Sequence, residues 1–240
     1  VNPALVLTSH GTHDPAGREV VRRLAAAVRH VVAPFDVLEA VVDVEAHRLP
    51  TVLAGQRRPL VVLPLLLSSG HHVQHDIATA VADHPHAVAT APLGPSWTLA
   101  EVGAQRLAEA GARPDDVVVL GASGSSRPEA LQDVEHAATL LRAVWGGDVR
   151  VGHLGRHGTP VTDVVAHARA GGRRVVIASY VLAPGHFQGE LETAGADLVT
   201  APLLSPSPQH AIVDLLIRRF ERAARTVSVW ATDTLGPWST

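Results

Sequence analysis

Residues 60–77 read LVVLPLLLSSGHHVQHDI, and residues 174–191 read RVVIASYVLAPGHFQGEL. Laid over each other, each shows an aliphatic run, a Gly-containing turn and then a His, placing His72 on His186 at an offset of 186 − 72 = 114. The apolar run is continuous rather than alternating, as in strands of parallel sheets that are covered on both faces. The start of each half repeats as well. LVLTSHGT at residues 5–12 lies over VVLGASGS at residues 118–125, with His10 opposite Ser123 at 123 − 10 = 113. Two well-separated blocks at nearly one spacing imply an internal duplication, joined by the segment GARPDD at residues 111–116.

Outward from these blocks, further apolar runs occupy residues 4–9, 37–45, 87–92, 117–121, 149–154 and 197–203. Amphipathic stretches separate them. In residues 15–32 the apolar Val20, Leu24, Val28 and Val32 recur every four positions, with Asp14 placed to cap the helix and Pro15 at its first position. Similar patterns cover residues 98–110, 129–144 and 209–225. Strands alternating with helices predict an α/β protein of two tandem Rossmann-like domains, each a parallel four-stranded sheet flanked by helices. The expected divisions are residues 1–113, residues 114–226 and a C-terminal tail at 227–240.

Composition narrows the function classes. A hydrophobic content of 46% with only 3% aromatics predicts an aliphatic core. A net charge of −3 without a basic stripe argues against a general nucleic-acid binder. With no Cys, disulfides, thiolate zinc sites and Cys-ligated clusters are excluded, so metal chemistry must use His, Asp and Glu. No run approaches the roughly 18 apolar residues of a membrane helix, and the N-terminus lacks a signal-peptide pattern. A soluble, cytoplasmic protein without membrane contacts is expected.

In open α/β sheets ligands bind beyond the carboxyl ends of the strands. His10 follows the first predicted strand, Glu45 ends the second, and His71, His72 and His75 follow the third. Neighbouring strands thus send imidazoles and a carboxylate to one edge. That set suits Fe²⁺, Co²⁺, Ni²⁺ or Zn²⁺ with positions left open for a substrate. The competing reading of each residue is structural: a loop histidine, or a strand-end carboxylate paired with Arg. His13, near the start of the first helix, is open between the two.

These residues carry a resemblance. SHGT at residues 9–12 and GHHVQHDI at residues 70–77 resemble the signature of the sirohydrochlorin chelatases, the cobalt- or iron-inserting class II chelatase family. The family's Gly-x-His-x-x-x-Asp-Ile motif is met by Gly70, His72, Asp76 and Ile77, and its His-Gly-Ser motif by His10 and Gly11, with Thr12 in the Ser position. Glu45 ahead of Pro50 and Thr51 fits the family's acidic position with one extra residue. The resemblance covers the whole chain as a double-length form. It implies insertion of a divalent metal into a sirohydrochlorin-type tetrapyrrole, with His10 and His72 holding the metal and Glu45 or an imidazole accepting ring protons. The metal is a substrate, and no tightly bound organic cofactor is implied. Iron and cobalt both fit, and the lack of a His-rich tail leans the reading to iron and siroheme.

The halves are not equivalent. Ser123 replaces His10, and laying Pro160 over Pro50 puts Gly155 in place of Glu45, while His186 persists. One active site is therefore expected, in the first half, facing a cleft walled by the second. Ser69 and Gly70, with Ser125 and Arg127 across the cleft, are the candidates for contacting the anionic tetrapyrrole; a plain Ser-rich helix cap is the alternative for Ser125. A duplicated chain can do internally what a shorter one does by dimerising, so a monomer is expected. Two other functions compete. One is a non-enzymatic Ni or Co carrier using the same histidines. The other is a histidine phosphatase, from the L-x-R-H-G-x-T pattern of Leu154, Arg156, His157, Gly158 and Thr159, a motif that belongs on a first strand rather than mid-chain.

Overall fold

The computed structural model describes residues 2–43, 47–70, 72–205 and 209–233, with backbone alone at 72–74 and 228–233. The first half runs β1 (Ala4–Ser9), α1 (Pro15–Val31), β2 (Val37–Val41), α2 (Leu49–Ala54) and β3 (Leu60–Pro64). A π-type helical turn (His72–Ile77) then leads into α3 (Ala78–Ala82), β4 (Ala87–Ala89) and α4 (Trp97–Glu109). The second half repeats the order: β5 (Val117–Ser123), α5 (Pro128–Trp145), β6 (Asp148–Leu154), α6 (Val161–Ala170), β7 (Val175–Tyr180), α7 (His186–Glu192), β8 (Leu198–Val199) and α8 (His210–Asp233). The strands form two parallel four-stranded sheets, ordered β2-β1-β3-β4 and β6-β5-β7-β8. This is the two-sheet α/β architecture expected from the sequence.

Alternation along the strands divides the core into three parts. On the outer face of the first sheet, Ala4, Val6 and Val62 pack with Leu49 and Leu53 of α2 and with Ile77. On that of the second, Val117, Val119 and Ile177 pack with Val161 and Val165 of α6 and with Leu191. The inner faces share one core: Leu5, Leu7 and Leu63 from one sheet and Val118, Leu120 and Val176 from the other join residues of α1, α4, α5 and α8. The predicted stripe Val20, Leu24, Val28 and Val32 is buried, and Asp14 caps α1 by accepting from Ala16 N and Gly17 N.

The last helix of each half leaves its own sheet. α4 packs on α5 and β7, and α8 packs on α1, β3 and β4. The boundary near residue 113 therefore marks the repeat in sequence without separating two packing units. The expected tail also starts inside α8, which continues to Asp233 with Val227 buried. Among the described residues no helix is long and apolar enough to cross a membrane.

Strand pairing refines the repeat alignment. β1 sets Ala4 opposite Leu60, and β5 sets Val117 opposite Val175. The central strands are thus 117 − 4 = 113 residues apart, and β3 and β7 are 175 − 60 = 115 apart. Past the turn, Ile77 and Leu191 fill equivalent core positions at 191 − 77 = 114. The first half has one more residue between strand and helix, which the π-type turn absorbs. His72 overlies His186 in the helix register, but His71 does so in the strand register. A second correction concerns Glu45. Val41 N donates to His47 O and His153 N to Thr159 O, with bridges Val41 to Arg48 and His153 to Pro160. These loops match at 153 − 41 = 112, so His157, not Gly155, is the counterpart of position 45 by count.

Candidate functional site

The strand order reverses between β1 and β3, the place where open α/β sheets bind ligands beyond the carboxyl ends of their strands. His10 stands first after β1 and is exposed. Its backbone is fixed, because Ser9 O accepts from Val42 N at 3.0 Å and His10 O from Asp43 N at 3.2 Å. Gly11, at φ 89°, turns the chain toward α1 in a conformation that favours glycine. After β3, Leu65 N still bonds Thr8 O at 2.8 Å, and residues 66–70 continue half-buried to the π-type turn. Such a turn opens the local helix and recurs at functional sites. His75 is exposed and Asp76 half-buried in it. Glu45 and His71 lie outside the described residues, as does the side chain of His72. Among the described residues no three His, Asp or Glu side chains converge on a metal position.

Loops of the second half face this edge. A Cβ on Gly185 would stand 3.3 Å from Thr12 Oγ1, and one on Gly70 would stand 4.0 Å from Ser125 Oγ. These are repeat mates, since Thr12 and Ser125 are 113 apart and Gly70 and Gly185 are 115 apart. A side chain on Gly17 would overlap the Pro184 carbonyl, so α1 meets the loop after β7 through bare backbone. The loops after β1 and β3 thus abut those after β7 and β5. Of the expected contact residues, Gly70 and Ser125 are brought together. Ser125 Oγ accepts from Arg127 N at 3.2 Å, a turn bond just ahead of α5, whose N-cap Arg127 has no side-chain cap bond. Ser69 N–H is taken by Asp133. His186 is 81% exposed at its side chain and 3.7 Å from Glu190 Oε2, and Phe187 beside it is 41% exposed.

One histidine stands apart. His153 on β6 is buried, neither ring nitrogen makes a well-formed hydrogen bond among the described residues, and a side chain on Gly158 would overlap its ring. Burial pushes its pKa below the ordinary imidazole value, partly offset by the Glu135 charge. The L-x-R-H-G-x-T pattern draws on its neighbours Arg156 and His157, whereas the repeat register singles out His153, whose mate is Val41. The unfolded chain then binds the proton more readily than the folded one, so stability should fall as pH drops below about 6.5. His153→Val restores the residue of the other repeat. Urea unfolding should show its advantage over the parent protein growing between pH 7.5 and pH 5.5, by at most about 1.4 kcal/mol per pH unit. An equal advantage at both pH values would point to packing alone.

The CbiX family model matches the chain twice, over residues 4–110 and 117–238. A comparison with curated protein sequences returns no match. Solved structures share the fold. SirB from Bacillus subtilis with Fe³⁺ aligns at a TM-score of 0.78 and 18% identity, over 93% of this chain and 96% of that one. SirB from B. subtilis subspecies spizizenii in complex with cobalt aligns at 0.74 and 18%, over 94% and 96%. CbiX, described as the terminal enzyme for biosynthesis of siroheme in denitrifying bacteria, aligns at 0.64 and 17%, over 90% and 98%. The two model matches fall on the two halves that the repeat register and the paired sheets define, and the chain therefore belongs to the CbiX family of sirohydrochlorin chelatases, in a double-length form.

Proposed function

We propose that the protein inserts a divalent metal, Fe²⁺ or Co²⁺, into sirohydrochlorin. The observation that carries this reading is His10 at the carboxyl end of β1, beside the β3 loop that leads into the Gly-x-His-x-x-x-Asp-Ile segment, at the sheet's switch point. Insertion requires a metal stripped of water, a macrocycle held in place and two ring nitrogens relieved of protons. His10 and His72 take the metal through neutral imidazole nitrogens and pass it to the ring, leaving the remaining coordination positions to the substrate. Glu45 or a free imidazole takes the ring protons. Ser69 and Gly70 on one side, and Ser125 and Arg127 on the other, contact the ring and its carboxylates, with Arg127 supplying a guanidinium fork. The second half closes the cleft, so the protein works as a monomer in the cytoplasm.

The solved relatives carry iron in one case and cobalt in another, and His with carboxylate accepts both metals. We favour iron, for siroheme. Anaerobic conversion of sirohydrochlorin with each metal, followed by absorbance, tests the reading. The expected result is a rate above the spontaneous one that disappears in both His10→Ala and His72→Ala. A parent protein no faster than the spontaneous reaction with either metal overturns it, and metal capture without insertion then takes its place.

A further inference from the structure

The loop that leads into His71 and His72 is held by side chains of the other half. The Tyr180 hydroxyl, at the end of β7, donates to Leu67 O at 3.1 Å. Asp133 on α5 accepts from Ser69 N at 2.6 Å. Tyr180 is the chain's single tyrosine, and it is buried. Its hydroxyl is fitted against bare backbone: a side chain on Gly94 would overlap it and come within 2.6 Å of Leu67 O. Burial first, and the Asp133 charge second, push the Tyr180 pKa well up, so the phenol stays a donor.

The repeat makes the arrangement informative. In strand register the mate of Tyr180 is Leu65, and in the register of the first helices the mate of Asp133 is Val20. Neither apolar side chain can return these bonds to the loop after β7. The two anchors exist in one direction only, toward the loop that carries histidines, in the half that keeps His10. Its sequence, Leu67-Ser68-Ser69-Gly70, is short and glycine-ended and fixes little by itself.

We infer that Tyr180 and Asp133 are positioning residues, through which the second half sets residues 67–70 so that His72 meets the metal in a fixed geometry. The inference rests on the chelatase reading for its consequence, because a ligand held about 1 Å out of place can cost on the order of a hundredfold.

The test compares the parent protein with Tyr180→Phe, Asp133→Ala and Asp133→Asn. Co²⁺ titration, read by the visible absorption of bound cobalt, is combined with insertion kinetics at varied Co²⁺ and with thermal unfolding. Tyr180→Phe keeps the packed ring, and Asp133→Asn keeps an acceptor oxygen for Ser69. Expected are about tenfold higher half-saturating Co²⁺ and an altered cobalt spectrum for Tyr180→Phe and Asp133→Ala, with Asp133→Asn within about threefold of the parent. Either of the first two variants matching the parent in both readouts, whatever its melting temperature, removes that residue from the proposal. Asp133→Asn as weak as Asp133→Ala removes the hydrogen bond to Ser69 as the cause. A parent protein that binds Co²⁺ yet inserts no faster than the spontaneous rate overturns the chelatase reading, while the cobalt titration still decides whether the anchors set the loop.

Discussion

His10→Ala is expected to abolish the enzymatic part of metal insertion, a loss of at least about a hundredfold, while leaving the fold intact. Outer groups that merely orient a metal ligand already cost about 10- to 100-fold when removed, and a direct ligand should cost no less. The side chain is exposed, so truncation opens no cavity, and surface changes of this kind usually stay within about 0.5 kcal/mol. The bonds that Ser9 O and His10 O accept from Val42 N and Asp43 N survive the substitution. Melting temperature should therefore be unchanged while insertion falls to the spontaneous rate. His186→Ala is the control from the other repeat: it too is solvent-facing, but its half has Ser123 in place of His10, and a change of less than about threefold is expected. Comparable losses in both variants would mean that both halves hold metal, and the single-site reading would fail.

Much of the fold was legible in the sequence because its signals are local. The run at residues 4–9, the cap Asp14 with Pro15, and the four-residue spacing from Val20 to Val32 each reappear as β1, the N-cap and the buried face of α1. Exchange of α4 and α8 was not legible. An amphipathic pattern reports that a helix buries one face and is silent about which sheet receives it, since duplicated sheets offer nearly the same surface. The one-residue difference after β3 was hidden for a related reason. An overlay at 114 keeps Ile77 on Leu191, and only the pairing of Leu60 with Ala4 and of Val175 with Val117 shows that the strands differ by 115. The sequence locates His10 directly after β1, but Tyr180 and Asp133 could not be found from motifs, because their partners are backbone atoms of Leu67 and Ser69 in the other half. The contributions of Glu45 and His72 fall where side chains are not described and rest on the mutational test.

Arg219→Ala is expected to destabilise the protein by about 3 kcal/mol, more than a usual surface substitution. From α8 its guanidinium donates to the carbonyls of Ala91, Pro92 and Leu93, which lead from β4 into α4. Burial lowers its pKa from the ordinary guanidinium value, with Arg222 adding to the effect; it remains charged at working pH. Removing it leaves Leu93, a buried residue, without the donor its carbonyl has. Its repeat mate, 219 − 106 = 113 residues earlier, is Arg106 on α4, buried and donating to Leu203 O at 3.3 Å and to Glu109 at 2.6 Å. Each half's final helix thus carries an Arg that grips the loop before the other half's final helix. Because the two grips reinforce one α4 and α8 arrangement, Arg106→Ala with Arg219→Ala should lose more than either alone, in one cooperative transition. Urea unfolding followed by tryptophan emission and by far-ultraviolet circular dichroism checks this, since the two probes should give one midpoint. Two separated transitions in the double variant would show that the halves fold independently, and the exchanged helices would then be a contact between domains rather than the core they share.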